Sequence, residues 1–297
     1  MGNAMQLNER STVCKQYSMP AKWRASLKSI RVVRLATGAT LLYLFTIQSV
    51  HADSDYSERI NEIGLTLGTY SYREPGLMSL QGVKAGVNLR STIANPERST
   101  FIISEVRFAG GTVDYQSNGT GRISGEPDWY VEGRLLLGNK WSRRGLSNLS
   151  SYVGLGYRYL RNDGRGLTTT GHAGYRRESN YLYFPIGFIH RGKLNTGAKL
   201  VSTIEYDYLI KGKQNSHLSD VDPSFSDLEN NQSDGYGWKL HMQYVTEKWS
   251  VGPYLHYWEI ADSEIKPIYF NGAIGGFGLE PRNNTVELGI ELRQTFE

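Results

Sequence analysis

The chain closes on "TVELGIELRQTFE", residues 285–297. Val286, Leu288, Ile290, Leu292 and Phe296 share one parity, broken only by Gln294. Glu287, Gly289, Glu291, Arg293 and Thr295 share the other. A period of two is that of a β-strand, so this strand has a greasy face, a charged face and an aromatic residue next to its end.

The same alternation recurs nine times upstream. It runs through "INEIGLTLGTYSY" (60–72), "LQGVKAGVNLR" (80–90), "TFIISEVRFAGGTV" (100–113), "DWYVEGRLLLG" (128–138) and "SYVGLGYRYL" (151–160). It continues in "SNYLYFPIGFIH" (179–190), "AKLVSTIEYDYLI" (198–210), "GWKLHMQYV" (237–245) and "SVGPYLHYWEI" (250–260). Each stretch is about as long as a tilted membrane strand, ~9–11 residues, where a soluble sandwich uses ~5–6.

The first 52 residues read as an export signal. Arg31 and Arg34 precede the small and apolar run 35–50, and Val50 and Ala52 stand at the −3 and −1 positions of a cleavage site. The run is shorter than the ~20 residues a membrane helix needs. Seven basic residues and one acid leave with the signal, which takes 33 basic and 29 acidic residues to 26 and 28. The exported chain, 53–297, is then slightly acidic, and a nucleic-acid partner loses its electrostatic basis. The only cysteine, Cys14, leaves too, so no disulfide, thiol nucleophile or cysteine metal site remains. Mean hydropathy is low, at −0.44, while Tyr (20) and Gly (33) are abundant. A soluble β-sandwich and a membrane barrel both fit that composition, and the connections separate them.

From the third connection onward, long and short segments alternate strictly: 114–127 long, 139–148 short, 161–178 long, 191–196 short, 211–234 long, 246–249 short and 261–284 long. Long loops on one side and short turns on the other are the habit of an outer-membrane barrel, and an even strand count puts both termini on the short-turn, periplasmic side. A bilayer offers backbone polar groups no water, so a spanning sheet must close and the last strand must pair with the first. The reading is an all-β, closed antiparallel transmembrane barrel of ten strands. The alternative is twelve, if "IKPIYFNGAIGGFGL" (265–279) hides a hairpin. Trp129, Trp141, Tyr157, Tyr159, Tyr208, Trp238 and Trp249 are the expected interface girdle.

The pattern resembles the Gram-negative outer-membrane β-barrel proteins, whose C-terminal strand, usually ending in an aromatic residue, is read by the assembly machinery. Here Glu297 lies one residue past that aromatic. The stretches 70–86 and 278–289 are similar to segments of porin-like outer-membrane barrels. The resemblance implies residence in the outer membrane after cleavage near Ala52. It implies outer-membrane lipid and lipopolysaccharide, and the barrel assembly machinery, as partners. It brings no catalytic residue and no cofactor with it.

The polar parity should face the lumen. It carries Lys84, Arg90, Glu105, Arg107, Glu132, Arg134, Arg158, Lys199, Glu205, Asp207, Lys239, His241, His256, Glu287, Glu291 and Arg293. Glu105/Arg107 and Glu132/Arg134 share spacing on neighbouring strands and can pair across. Such a set is either the lining of a small porin-like channel or a salt-bridged plug, and ten strands lie near the narrow end of the barrel series, which favours the plug. Glu205 and Asp207 could be an acid–base pair or a cation site, but Lys199 and Lys239 are at hand to neutralise them.

The function expected is therefore structural, porin-like or one of surface interaction through the long outer loops. A rim enzyme is the alternative. Ten-stranded omptin proteases, which this chain resembles in strand number, carry Asp and His at the outer rim. The loop "HLSDVDPSFSD" offers His217, Asp220, Asp222 and Asp227, with Asp128 near another outer loop. His217 and Asp220 are the weak catalytic candidates. Lipid A-modifying barrels use Ser and His near the rim, where His172, His190 and His256 qualify by residue type alone. No phosphate loop, zinc signature or nucleophile elbow occurs.

Overall fold

The computed structural model describes residues 58–141 and 148–296. The expected signal peptide, Glu297 and most of the 139–148 connection lie outside the described residues. Thirteen strands follow one another: β1(Glu58–Glu74), β2(Met78–Asn95), β3(Thr100–Ser117), β4(Gly121–Lys140), β5(Leu149–Asp163), β6(Arg176–Lys193), β7(Lys199–Ser216), β8(Leu228–Gln232), β9(Gly235–Val245), β10(Trp249–Ile260), β11(Lys266–Phe270), β12(Ala273–Gly278) and β13(Asn283–Phe296).

Ten of these close into an antiparallel barrel in the order β1 to β7, then β9, β10 and β13, with β13 returning to β1. The terminal pairing runs from Asn61 opposite Phe296 to Arg73 opposite Asn284. The stagger of the barrel follows from its registers. From Leu65 one circuit passes Val87, Phe108, Val131 and Tyr159 to Asn180 on β6. The opposite circuit passes Leu292, Val251, Tyr244 and Leu200 to Gly192 on the same strand. The two end points are 12 residues apart. With a rise of ~3.3 Å and a strand spacing of ~4.8 Å, ten strands so staggered tilt by roughly 40°.

Burial is inverted relative to a soluble protein. Leu67 and Ile290 are 61% and 62% exposed, whereas Lys84 and Glu291 are 1% and 0% exposed. Exposed apolar side chains girdle every barrel strand, from Ile63, Leu65 and Leu67 on β1 to Leu288, Ile290 and Leu292 on β13. A lipid-facing exterior and a polar interior explain that inversion. Of the girdle aromatics, Tyr157, Tyr208, Trp238 and Trp249 are exposed. Trp129 packs on Tyr159 at 5.4 Å, and Trp141 donates to Ser151 at 3.0 Å.

The interior is layered. Near the short-turn end Ala94, Phe101, Ile103, Leu136, Tyr152 and Ile189 form an apolar cluster. Near the other end Tyr181, Tyr183, Leu209, Trp258 and Ile260 form a second. The charged side chains lie between them. Two tyrosines fit only because glycine faces them: a Cβ at Gly156 would collide with the Tyr183 ring, and one at Gly187 with the Tyr152 ring. Glycines in these strands leave room beside large aromatics.

Two expectations need correction. The stretches 91–99 and 114–127 are not loops: β2 runs to Asn95 and β3 to Ser117, leaving turns at 96–99 and 118–120. Their polar sequence carried no apolar alternation because the hairpins continue beyond the lipid, where neither face needs to be greasy. The segment 265–279 does hide a hairpin, but β11 and β12 form a separate two-stranded sheet, and the barrel stays at ten strands.

That hairpin turns on Asn271 and Gly272, both with positive φ (50° and 79°), as an Asn-Gly hairpin turn requires. A bulge beside Gly275 shifts its register, so that Ile274 opposes Tyr269 and Phe277 opposes Pro267. Side chains three apart thereby reach one face, and Tyr269, Ile274 and Phe277 are 41%, 60% and 58% exposed there. The opposite face carries Phe270, which packs on Phe225 at 4.9 Å. The adjoining β7–β8 ladder spans four to eight residues of β7 above the Tyr208–Tyr236 pair, ~10–20 Å beyond the aromatic girdle at this tilt.

Candidate functional site

The charged middle layer is continuous from wall to wall. Arg134 on β4 meets Glu105 on β3 at 2.9 Å and Glu205 on β7 at 2.5 Å. Tyr152 donates to the other Glu205 oxygen at 2.5 Å. Lys239 on β9 pairs with Glu132 on β4 and lies 3.3 Å from both Glu205 and Asp207. Arg107 on β3 reaches Glu287 on β13 at 2.7 Å, and Tyr130 and Tyr254 donate to the same carboxylate at 2.9 and 2.8 Å. Glu291 accepts from Arg293 at 2.7 Å and from Asn88 at 3.1 Å. Lys84 pairs with Asp128 and sits 3.4 Å from the centre of the Tyr70 ring. Arg90 lies 3.6 Å from Glu62.

Glu105 and Arg134 oppose each other in register and pair directly. Arg107 and Glu132 also oppose in register, but each reaches across the lumen instead. Lys199 stands apart, exposed at the foot of β7, and does not meet Glu205 or Asp207. His241 and His256 touch through their Nε2 atoms at 2.9 Å. Arg158 lies over the Tyr130 ring at 4.1 Å and makes no ion pair among the described residues. Asp128 belongs to the interior, at 4% exposure, and not to the rim. Its parity with Glu132 and Arg134 carried that signal.

Above the middle layer, Arg177 closes the mouth. Its guanidinium meets Glu74 at 2.6 Å, Glu280 at 2.5 Å and the Tyr72 hydroxyl at 3.0 Å. Burial pushes the Glu280 carboxyl up to about 7; the Arg177 charge opposes this and the Glu74 carboxylate adds to it. The parity of β1 extends through Tyr70 and Tyr72 to Glu74, so Glu74 was readable as an inward group, but its partners were not.

At the rim, His217 meets Asp227 through Nδ1 at 2.8 Å, and Ser219 donates to the other Asp227 oxygen at 2.6 Å. Burial raises the Asp227 carboxyl, but the hydrogen bonds from Ser219 and His217 outweigh it and hold the group below its ordinary range. Asp220 is not the partner of His217. It binds Arg176 in a fork, at 2.7 and 2.9 Å, and that bond holds its carboxyl below the ordinary range. The second nitrogen of His217 lies 3.5 Å from Glu178. The three histidines considered for lipid chemistry are dispersed. His172 bonds Thr170 in the β5–β6 loop at 2.9 Å, His190 is exposed near the foot of β6, and His256 is interior. Among the described residues no three His, Cys, Asp or Glu side chains converge as metal ligands.

No family model matches the chain, and no curated protein matches it in sequence. Solved structures do match. The outer membrane protease OmpT from Escherichia coli is 15% identical, with a TM-score of 0.53, over 83% of this chain and 99% of that one. The monoaromatic hydrocarbon channel TodX, a deltaS2 mutant, is 10% identical with a TM-score of 0.33, over 80% and 90%. The attachment invasion locus protein Ail of Yersinia pestis is 10% identical with a TM-score of 0.28, over 80% and 99%. At such identities the likeness concerns the fold alone, and the fold is that of the Gram-negative outer-membrane β-barrels.

Proposed function

We infer that this protein resides in the outer membrane as a plugged barrel, and that its outer loops are its working surface. One observation carries the reading: ion pairs such as Arg134–Glu205 and Arg107–Glu287 join non-adjacent strands across the interior. A conducting pore needs a continuous column of water, and long side chains locked wall to wall leave no room for one. The apolar belt suits outer-membrane lipid and lipopolysaccharide as its surroundings. Phe296, near the end of β13, suits recognition by the assembly machinery. The exposed face of Tyr269, Ile274 and Phe277, on a hairpin outside the barrel wall beside the β7–β8 ladder, suits contact with a partner protein. Planar-bilayer recording of the refolded, processed chain tests the plug: a silent membrane is expected, and regular unitary conductance steps would overturn it.

A rim enzyme is the second reading, favoured by the His217–Asp227 contact at 2.8 Å. In that arrangement Asp227 orients the imidazole, and catalysis would require Nε2, buried 3.5 Å from Glu178, to become accessible to a substrate. Peptidase and lipid A assays with His217→Ala and Asp227→Ala decide it. Activity lost in both variants supports the reading, and an inactive parent chain removes it.

A further inference from the structure

We propose that a small cavity at the outer end of the barrel interior is a binding site for a small monovalent anion, a halide or a carboxylate group, held by Arg158 and Trp258. The cavity measures about 40 Å³ and lies below Arg177, between β1, β5, β6 and β10. At 10–15 Å³ per water centre that is room for about three waters or one small anion, and not for a phosphorylated sugar.

Three charged side chains line it: Asp128, Arg177 and Arg158. Lys84 takes Asp128, while Glu74 and Glu280 take Arg177. Arg158 is left over. It is 1% exposed, and its Nε and Nη2 find no acceptor among the described residues. The nearest acids make their close contacts elsewhere: Glu132, opposite Arg158 in register, gives Oε1 to Lys239 and Tyr183, Glu287 goes to Arg107, Tyr130 and Tyr254, and neither forms an ion pair with Arg158. Trp258, 3% exposed, also lines the cavity, and its Nε1 donor has no acceptor. Its ring is fixed edge-on to Tyr183 at 5.1 Å. A buried guanidinium with no carboxylate in ion-pairing contact is costly, and so is each buried donor without an acceptor. Water relieves the donors but brings no charge. An anion relieves both and gains charge-assisted hydrogen bonds.

The test uses the processed chain refolded into phosphatidylcholine vesicles and titrated with bromide, with sulfate, a larger divalent anion, holding ionic strength constant. Bromide quenches tryptophan emission, and Trp258 is the one interior tryptophan among the described residues. Saturable quenching is expected in the parent and should vanish in Trp258→Phe. Arg158→Gln should weaken the apparent affinity at least tenfold while leaving the emission present. Only linear, unsaturable quenching in the parent, or an unchanged saturable curve in a folded Trp258→Phe barrel, overturns the proposal. Should the variants not fold, bromide-soaked crystals of the parent decide it by anomalous scattering. A peak within hydrogen-bonding reach of the Arg158 guanidinium supports the site, and none there excludes it.

Discussion

Arg134 on β4 and Glu205 on β7 meet at 2.5 Å across the barrel, although two strands, β5 and β6, separate them along the wall. Arg134 also holds Glu105, so its removal takes the shortest ion pair from two buried carboxylates at once, leaving Glu205 only Lys239 and Glu105 only the more distant Arg90. Breaking a buried pair from one side costs roughly 3–5 kcal/mol. Arg134→Met should therefore lower the urea midpoint of the refolded barrel far more than Glu205→Gln, which leaves Arg134 its second partner. Equal midpoints for the two variants would show that the cross-lumen pair is not a strut.

Gly156 should accept no side chain. The Tyr183 ring covers it, and the ring is held by its hydroxyl on Glu132. Gly156→Val should block the folded, heat-modifiable gel band, and adding Tyr183→Ala in the same chain should restore part of it. A fully folded Gly156→Val barrel contradicts the packing described.

The mouth should respond to pH. Glu280 keeps its proton to about 7 when folded, against ~4.3 for a free Glu. The raised value means that folding binds a proton, so the contribution is complete below ~4.3 and is lost as pH rises through 7. Protease nicking of the 261–282 loop should accelerate between pH 6 and 8.5 in the parent. Glu280→Gln should flatten that profile, and a profile as steep as the parent's would contradict the assignment.

The β11–β12 hairpin should melt alone. Gly272→Val puts a branched side chain at a φ of +79°, at a cost of roughly 1–2 kcal/mol. Loss of protection at 266–278 with an unchanged barrel midpoint is expected in hydrogen exchange, because the hairpin is no part of the barrel sheet and its further backbone pairing is to the 224–226 loop.

Much of this architecture was legible in the sequence, because lipid imposes a strict period on every strand it touches. Leu288, Ile290 and Leu292 announced the outer face as clearly as Glu287 and Glu291 announced the inner one. The legibility ended where lipid ends. Above the girdle Asp114, Gln116 and Arg122 belong to paired strands, yet their polarity resembled a loop. Parity also gave the inward charges but not their partners, because partners across a barrel depend on the stagger and curvature of the whole sheet. Hence Arg107 finds Glu287 and not its register neighbour Glu132. His217 likewise chose Asp227 over Asp220, because Arg176 on β6 claims Asp220 first, and nothing in the loop sequence reveals that strand's proximity.

The central claim, that hydrocarbon is the solvent of every second side chain, is tested most directly by a cysteine scan along β13. The chain has no cysteine after Cys14, so single cysteines from 286 to 296 can carry a fluorophore one at a time in the vesicle-refolded barrel. The account predicts that lipid-borne nitroxide quenches labels at 288, 290 and 292 and spares those at 287 and 291, Gly289 being left out because a Cβ there would meet the Leu67 carbonyl. Uniform quenching by aqueous iodide along the whole strand, with no alternation, would contradict it.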